Sequence, residues 1–219
     1  AVNLSLDTFD RDKFEQITGR DLFGKVRENM DALLDAGIPF KLNAVAMRGF
    51  NDDELPAFID YAMHHPIDVR FIEFMPMGEG TRWSDSCFWS APDILDAVKG
   101  LVAVAPVEQE QRNGGPARLY TLSGPDGPGL GRLGLISPLS SHFCTSCNRL
   151  RITSDGALRT CLFDDREYRL RNALRHPKLG IEAVRRIVTL ATRDKPIGAR
   201  LLERRHNAVA QRRMTAIGG

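Results

Sequence analysis

The chain has 219 residues, enough for one large or two small domains, and 42% are hydrophobic, as in soluble globular proteins. No apolar run approaches the ~20 residues of a membrane span, and no signal-peptide pattern is visible. The net charge of +2 hides an asymmetry: from Arg166 onward fourteen Lys and Arg face four Asp and Glu, so the first 165 residues are net acidic. From the N-terminus, Val2 to Leu6 reads as a strand, with Val2, Leu4 and Leu6 on one side and Asn3, Ser5 and Asp7 on the other. Asp21 reads as the cap of a helix whose apolar positions Leu22, Val26, Met30 and Leu33/Leu34 recur at helical spacing, ended by Gly37 and Pro39. Phe40 to Met47 is the next strand, with Lys41 and Asn43 on one face. Asn51 and Glu54 form a capping-box-like start to a helix running through Met63. Asp68 to Met75 is a third strand.

Strands alternating with helices predict parallel pairing through crossover helices. Parallel strands covered on both faces are apolar on both, yet these carry Ser5, Lys41, Asn43 and Glu73. A barrel or part-barrel with a polar inner face explains that pattern. Its site would lie at the C-terminal strand ends, near Asp7, Met75-Pro76 and Gly78-Glu79-Gly80.

The second half changes character. Ser90 caps a short helix, Ala91 to Lys99, with Pro92 and Asp93 in its first turn. Short strands follow without crossover helices: Leu101–Val107, Arg118–Leu122, Arg132–Ile136 and a hairpin from Arg149 to Cys161. The loops Asn113-Gly-Gly-Pro116 and Gly124-Pro-Asp-Gly-Pro-Gly129 separate them. This predicts an α/β chain: residues 1–90 as part of a barrel, then 91–219 as a small antiparallel sheet followed by two or three helices. His64, His65, His176 and His206 fall near helix ends, where cations suit the dipole.

Three of the four cysteines fall in one stretch, Cys144-Thr-Ser-Cys147 and, after thirteen intervening residues, Cys161. Paired Cys-x-x-Cys thiolates can reach one metal centre together, and soft sulfur selects zinc or iron–sulfur clusters. After Cys147, Arg149 and Arg151 alternate with Leu150 and Ile152, as in a half-buried strand, and Asp155-Gly156 signals a hairpin turn. Ala157 to Thr160 then returns Cys161 toward the pair. Spacing leaves two readings open: a Cys3His zinc knuckle using His142, with Cys87 a weaker fourth ligand, or a cubane cluster on three cysteines with one iron open. Cysteines at metal spacing fit a reducing cytoplasm better than a disulfide framework. Nucleic-acid binding through the basic C-terminal segment is disfavoured, since Tyr168 is its one aromatic residue.

The run His142-Phe-Cys144-Thr-Ser-Cys147-Asn-Arg-Leu-Arg151-Ile-Thr-Ser-Asp155-Gly156-Ala-Leu-Arg-Thr-Cys161 resembles the C-terminal cluster motif of the GTP 3′,8-cyclases, radical S-adenosylmethionine (SAM) enzymes that begin molybdenum-cofactor biosynthesis. Val2-Asn-Leu-Ser-Leu-Asp7, Phe71-Ile-Glu-Phe-Met-Pro76 and the end Met214-Thr-Ala-Ile-Gly218-Gly219 resemble that family in the same order. The family's N-terminal Cys-x3-Cys-x2-Cys motif is absent, so the chain reads as the C-terminal part of a longer protein and is not expected to cleave SAM alone. The resemblance implies a TIM-type radical SAM barrel and a 4Fe-4S cluster on Cys144, Cys147 and Cys161. It implies GTP contacts from Lys41, Arg149, Leu150 and Arg151, and SAM contacts from Ser5 and Met75, the latter through its main chain. A second 4Fe-4S cluster would sit on the missing part, and the Gly218-Gly219 tail would enter the active site. In the implied reaction a SAM-derived radical takes hydrogen from the ribose 3′ carbon of GTP, and the sugar radical attacks purine C8. A homodimer is left open. The rival from another class is a zinc-stabilised nucleic-acid-binding protein; a third reading gives a radical SAM enzyme an auxiliary electron-transfer cluster.

Overall fold

Strict alternation decides which way the central strand faces. In β2 (Phe40–Ala46) the residues Phe40, Leu42, Ala44 and Ala46 are buried, while Lys41, Asn43 and Val45 between them are only half-buried. The computed structural model describes residues 2–78, 81–108, 115–198, 200 and 201; Glu79, Gly80, Asn113, His206 and the Gly218-Gly219 tail lie outside the described residues. Packing divides the chain into two units. One comprises the residues up to Phe74 together with Asp85–Ser141, the other Met75–Ser84 together with the residues from His142 on.

The first unit is built on a six-stranded sheet. Its strands are β1 (Val2–Ser5), β2, β3 (Asp68–Glu73), β4 (Ala103–Pro106), β5 (Arg118–Gly124) and β6 (Gly127–Ile136), in the order β1-β2-β3-β6-β5-β4. The pairs β1–β2, β2–β3 and β3–β6 are parallel; β6–β5 and β5–β4 are antiparallel. Helices α1 (Arg11–Thr18), α2 (Phe23–Asp35), α3 (Leu55–His64) and α4 (Ala91–Lys99) complete it. Phe58, Ile59, Val69, Phe71, Ile94, Val98, Leu133 and Leu135 join the buried β2 residues in one apolar core. The parallel β1–β2–β3 run with its intervening helices is the pairing that the strand–helix alternation predicts.

Sequence placed β4, β5 and β6 in a separate antiparallel sheet, but β6 pairs with β3 and carries them onto the parallel one. Two glycines admit it. A Cβ on Gly131 would strike the backbone carbonyls of Ala62, His65 and Ile67, and one on Gly134 would lie 2.7 Å from Arg70 Cγ. The expected caps also differ. Asp21 does not cap α2, whose N-cap residue is Leu22; it pairs with Arg11, and α1, capped by Asp10, precedes it. Glu54 does not close a capping box either. Its carboxylate accepts from Thr8 Oγ1 (2.6 Å) and the Phe9 N–H (2.7 Å). Asn51, fully buried, accepts the Met47 N–H and donates to the Asp7 and Val45 carbonyls. These two side chains pin the loops that leave β1 and β2. Ser90 caps α4 as expected, accepting from the Asp93 N–H.

The second unit contains a three-stranded antiparallel sheet, β7 (Arg151–Ile152), β8 (Ala157–Arg159) and β9 (Tyr168–Arg169), with helices α5 (Leu170–Arg175) and α6 (Gly180–Arg193). The Asp155-Gly156 turn is present, with Gly156 at φ 81°. No helix among the described residues is long and apolar enough to cross a membrane.

Glu73 is 1% exposed and its carboxylate accepts the N–H groups of Ala91 (2.9 Å), Leu139 (2.8 Å) and Ser140 (3.0 Å) and the Ser140 hydroxyl. Glu73→Ala should lower the unfolding free energy by about 3 kcal/mol, since three amides lose a charged acceptor. Glu73→Gln should cost less. Urea unfolding measures both, and a wild-type midpoint for Glu73→Ala would refute the role.

Asp7 adds a pH-dependent term. Burial pushes its carboxyl above the ordinary aspartate range, offset in part by the Val45 N–H it accepts. A folded value above the unfolded one means that its charge costs stability above about pH 4 and nothing well below. Asp7→Asn should therefore raise Tm at pH 7 and leave it unchanged at pH 3.

Candidate functional site

Both cysteine-bearing segments of the second unit are held by cations that grip main-chain carbonyls. Cys144–Ser146 forms a single 3₁₀ turn, closed by the Cys147 N–H donating to the Cys144 carbonyl at 3.3 Å. Lys195, just past α6, donates to the carbonyls of Cys147 (2.7 Å) and Arg149 (2.9 Å) and lies 3.4 Å from Cys147 Sγ. The other segment follows β8. Arg159, 1% exposed, donates to the carbonyls of Leu162 and Asp164 and pairs with Asp165 and Glu167. That grip fixes the loop leaving Cys161.

The sulfurs are thiols, none in a disulfide, and Cys144, Cys147 and Cys161 are each half-buried. Burial pushes the Cys147 thiol up, but the Arg149 N–H and the Lys195 ammonium outweigh it and hold the thiol below its usual value. Burial dominates at Cys161 and raises it, against the Phe163 N–H; the nearby Cys144 sulfur raises it further. A Cβ on Gly198 would come within 2.8 Å of Cys161 Sγ, so only a glycine lets that backbone lie against the sulfur.

The arginines depart from the expected strand. Regular pairing begins at Arg151, not Arg149, because Lys195 takes the Arg149 carbonyl out of any ladder. The burial is reversed as well: Leu150 is 40% and Ile152 55% exposed, while Arg151 is half-buried. Arg151 faces Arg159 directly across the hairpin, an unfavourable like-charge pair. Burial, then the Arg149 charge, pull the Arg151 guanidinium below its usual value, and the nearby Cys147 and Cys161 sulfurs act the other way. Among the described residues it pairs with no carboxylate. Arg149 is exposed, with its guanidinium carbon 6.0 Å from the Phe143 ring centroid.

His142 is exposed, and Cys87 belongs to the first unit, its carbonyl accepting the Arg48 N–H. Among the described residues no three His, Cys, Asp or Glu side chains are gathered tightly enough for a single metal ion. A cubane is wider than one ion, and each of its thiolates binds a different iron.

The remaining expected residues divide between the units. Ser5 is the last residue of β1 and exposed, opposite Asn43; Lys41 lies opposite Asn3 and Asp68. Met75 is half-buried, its carbonyl accepting the Met77 N–H at 2.8 Å, and belongs to the second unit. Register puts more polar residues on the Lys41 face than sequence indicated. Asp68 lies between Lys41 and Arg132 and accepts from Arg132 and Arg70 at 2.7 Å each. Asn43 Oδ1 is buried without a hydrogen-bond partner among the described residues. Lys195, Arg159 and Gly198 were not legible from the sequence as site residues. The only signal for Lys195 was a helix-ending Pro196 beside it, and for Arg159 an arginine alternating with apolar residues in a returning strand.

The model of the Molybdenum Cofactor Synthesis C family matches residues 67–201. The chain belongs to that family. Residues 1–62 match the Radical SAM superfamily. Relatives named GTP 3′,8-cyclase align along most of the chain. The one from Alkaliphilus oremlandii is 42% identical over 220 residues, which is 100% of this chain and 64% of that protein. The one from Syntrophomonas wolfei is 41% identical over 196 residues, 89% of this chain and 58% of its own length. That from Pelotomaculum thermopropionicum is 36% identical over 219 residues, 100% of this chain and 65% of its own. The chain thus spans a little under two thirds of the length of these relatives.

Arg159→Met should cost the second unit about 2–3 kcal/mol, because two carbonyls lose their buried donor. Hydrogen exchange should show residues 161–167 opening first, and uniform protection across the unit would count against the role.

Proposed function

We propose that this chain supplies the substrate-holding part of a GTP 3′,8-cyclase, with Cys144, Cys147 and Cys161 carrying a 4Fe-4S cluster. The observation that supports it best is Arg151: a half-buried guanidinium facing a second arginine and beside two sulfurs, with no carboxylate partner among the described residues. That setting suits a resident anion, and three thiolates on an iron–sulfur cluster are one. The donor set fits such a cluster, being three half-buried thiols with a glycine backbone laid against the third. When bound, the cluster would offer one iron without a protein ligand, a Lewis-acid site for a base atom of the nucleotide.

The chain's own residues would then do the binding. Arg149 and Arg151 would grip the nucleotide by paired N–H donors, a geometry that lysine lacks. Leu150, exposed between them, would offer an apolar contact. In the first unit Lys41 would bind GTP, and the unpartnered Asn43 acceptor supports a ligand on that sheet face. Ser5 and the Met75 main chain would contact SAM, and the Gly218-Gly219 tail would reach the reacting centre. SAM cleavage needs a second cluster, and this sequence has no Cys-x3-Cys-x2-Cys run to hold it. The work of these 219 residues is positioning more than acid–base chemistry.

Anaerobic reconstitution with iron and sulfide tests this reading. Cys144→Ser, Cys147→Ser and Cys161→Ser should each lose the cluster, while Cys87→Ser and His142→Ala should keep it. Loss in His142→Ala, or colourless protein with stoichiometric zinc, would favour the closed zinc knuckle. In calorimetry Arg149→Lys and Arg151→Lys should each weaken GTP binding by about 1–3 kcal/mol. Unchanged affinity in both would remove them from the site.

A further inference from the structure

Among the described residues Lys195 is the one outside the cysteine motif whose side chain contacts both its backbone and its sulfur. An ammonium has three donors and no acceptor. Here the Cys147 carbonyl, the Arg149 carbonyl and Cys147 Sγ stand at 2.7, 2.9 and 3.4 Å. No carboxylate among the described residues pairs with Lys195, and the acidic group beside it is the Cys147 thiol. The side chain is half-buried, where an uncompensated charge is expensive. Three residues later Gly198 lies against Cys161 Sγ. One short segment after α6 therefore touches the site at both its ends, Lys195 at the Cys-x-x-Cys turn and Gly198 at the third cysteine.

We propose that Lys195 is a positioning residue of this site, which locks the Cys144–Arg149 loop through two carbonyls and raises the reduction potential of a cluster bound there by donating to Cys147 Sγ. The proposal rests on the cluster assignment above. The sign follows from charge. Reduction adds one negative charge to the cluster, and a fixed cation with an N–H directed at a ligating sulfur stabilises the reduced form more than the oxidised one. A lysine that merely filled space or held the loop would leave the potential where it was. The same grip sets where Arg149 begins, since its carbonyl is one of the two held.

The test uses the 219-residue chain loaded anaerobically with iron and sulfide, compared with Lys195→Met, Lys195→Gln and Lys195→Arg. Iron and sulfide content are measured first, then the midpoint potential by electron paramagnetic resonance during a dithionite titration. Lys195→Met should be about tenfold harder to reduce, about 59 mV more negative for one electron. Lys195→Gln should shift the same way, and Lys195→Arg, which restores charge and donors, should recover most of the loss. A loaded Lys195→Met or Lys195→Gln with the wild-type potential overturns the proposal. Should both neutral variants fail to take up iron, loading of Lys195→Arg supports the locking role. Failure of all three with unchanged circular dichroism counts against it. Wild-type chain that takes up no iron refutes the cluster reading instead, so the two failures are distinguishable.

Discussion

The cysteine region depends on cations that hold carbonyl groups. Its two sulfur-bearing loops have almost no regular pairing, and an irregular loop keeps one shape only if its polar backbone is satisfied. Arg159 does this after Cys161, from a fully buried position, through the Leu162 and Asp164 carbonyls. Lys195 does it after Cys147. Lys195 also favours an ionised Cys147, because it brings positive charge without adding a competing ligand. Chain connectivity alone brings Cys161 back near the pair; these contacts decide whether the sulfurs keep a common geometry.

The first unit solves a similar problem with the opposite sign. There most of the groups needing partners are N–H donors at loop and helix starts, met by carboxylates, while the Asn51 amide serves one N–H and two carbonyls. Glu73 takes the first free N–H of α4 and two more from the loop after β6. Glu54 and Asn51 tie the segments leaving β1 and β2. A carboxylate with three amides and a hydroxyl already donating to it is poorly placed to move protons. Glu73, to which sequence alone assigns no role, is thus a structural anchor.

What sequence made legible follows from local rules. The β2 alternation, the Ser90 cap and the Asp155-Gly156 turn each depend on a few adjacent residues, and each is present. What it hid depends on distant partners. Parallel pairing of β6 with β3 requires Gly131 and Gly134 to lie where backbone and Arg70 crowd in, and neither glycine announces this locally. Asp21 and Glu54 look like caps until Arg11, Thr8 and Phe9 compete for them. At the site, the cysteines and arginines were legible as types at a spacing. The reversal that turns Arg151 inward and Ile152 outward was not, because a period of two fixes which residues share a face but not which face is buried.

The sheet face that carries Lys41 extends the electrostatic argument. Registered neighbours share a face, so Lys41, Asp68 and Arg132 form one row and Asn43, Arg70 and Gly134 the next. Among those strand positions three cations stand against one carboxylate, and Asp68 is already shared by Arg70 and Arg132. Buried polar groups of this kind are costly unless satisfied, and proteins keep them where a ligand completes the set. Positive excess favours an anion, and the buried Asn43 oxygen adds a specific acceptor to a surface that would otherwise recognise charge alone. A polyphosphate nucleotide supplies both a dispersed negative charge and N–H or O–H donors. The character of this face thus suits the ligand class proposed for Arg149 and Arg151, through side chains that no cysteine spacing could have indicated.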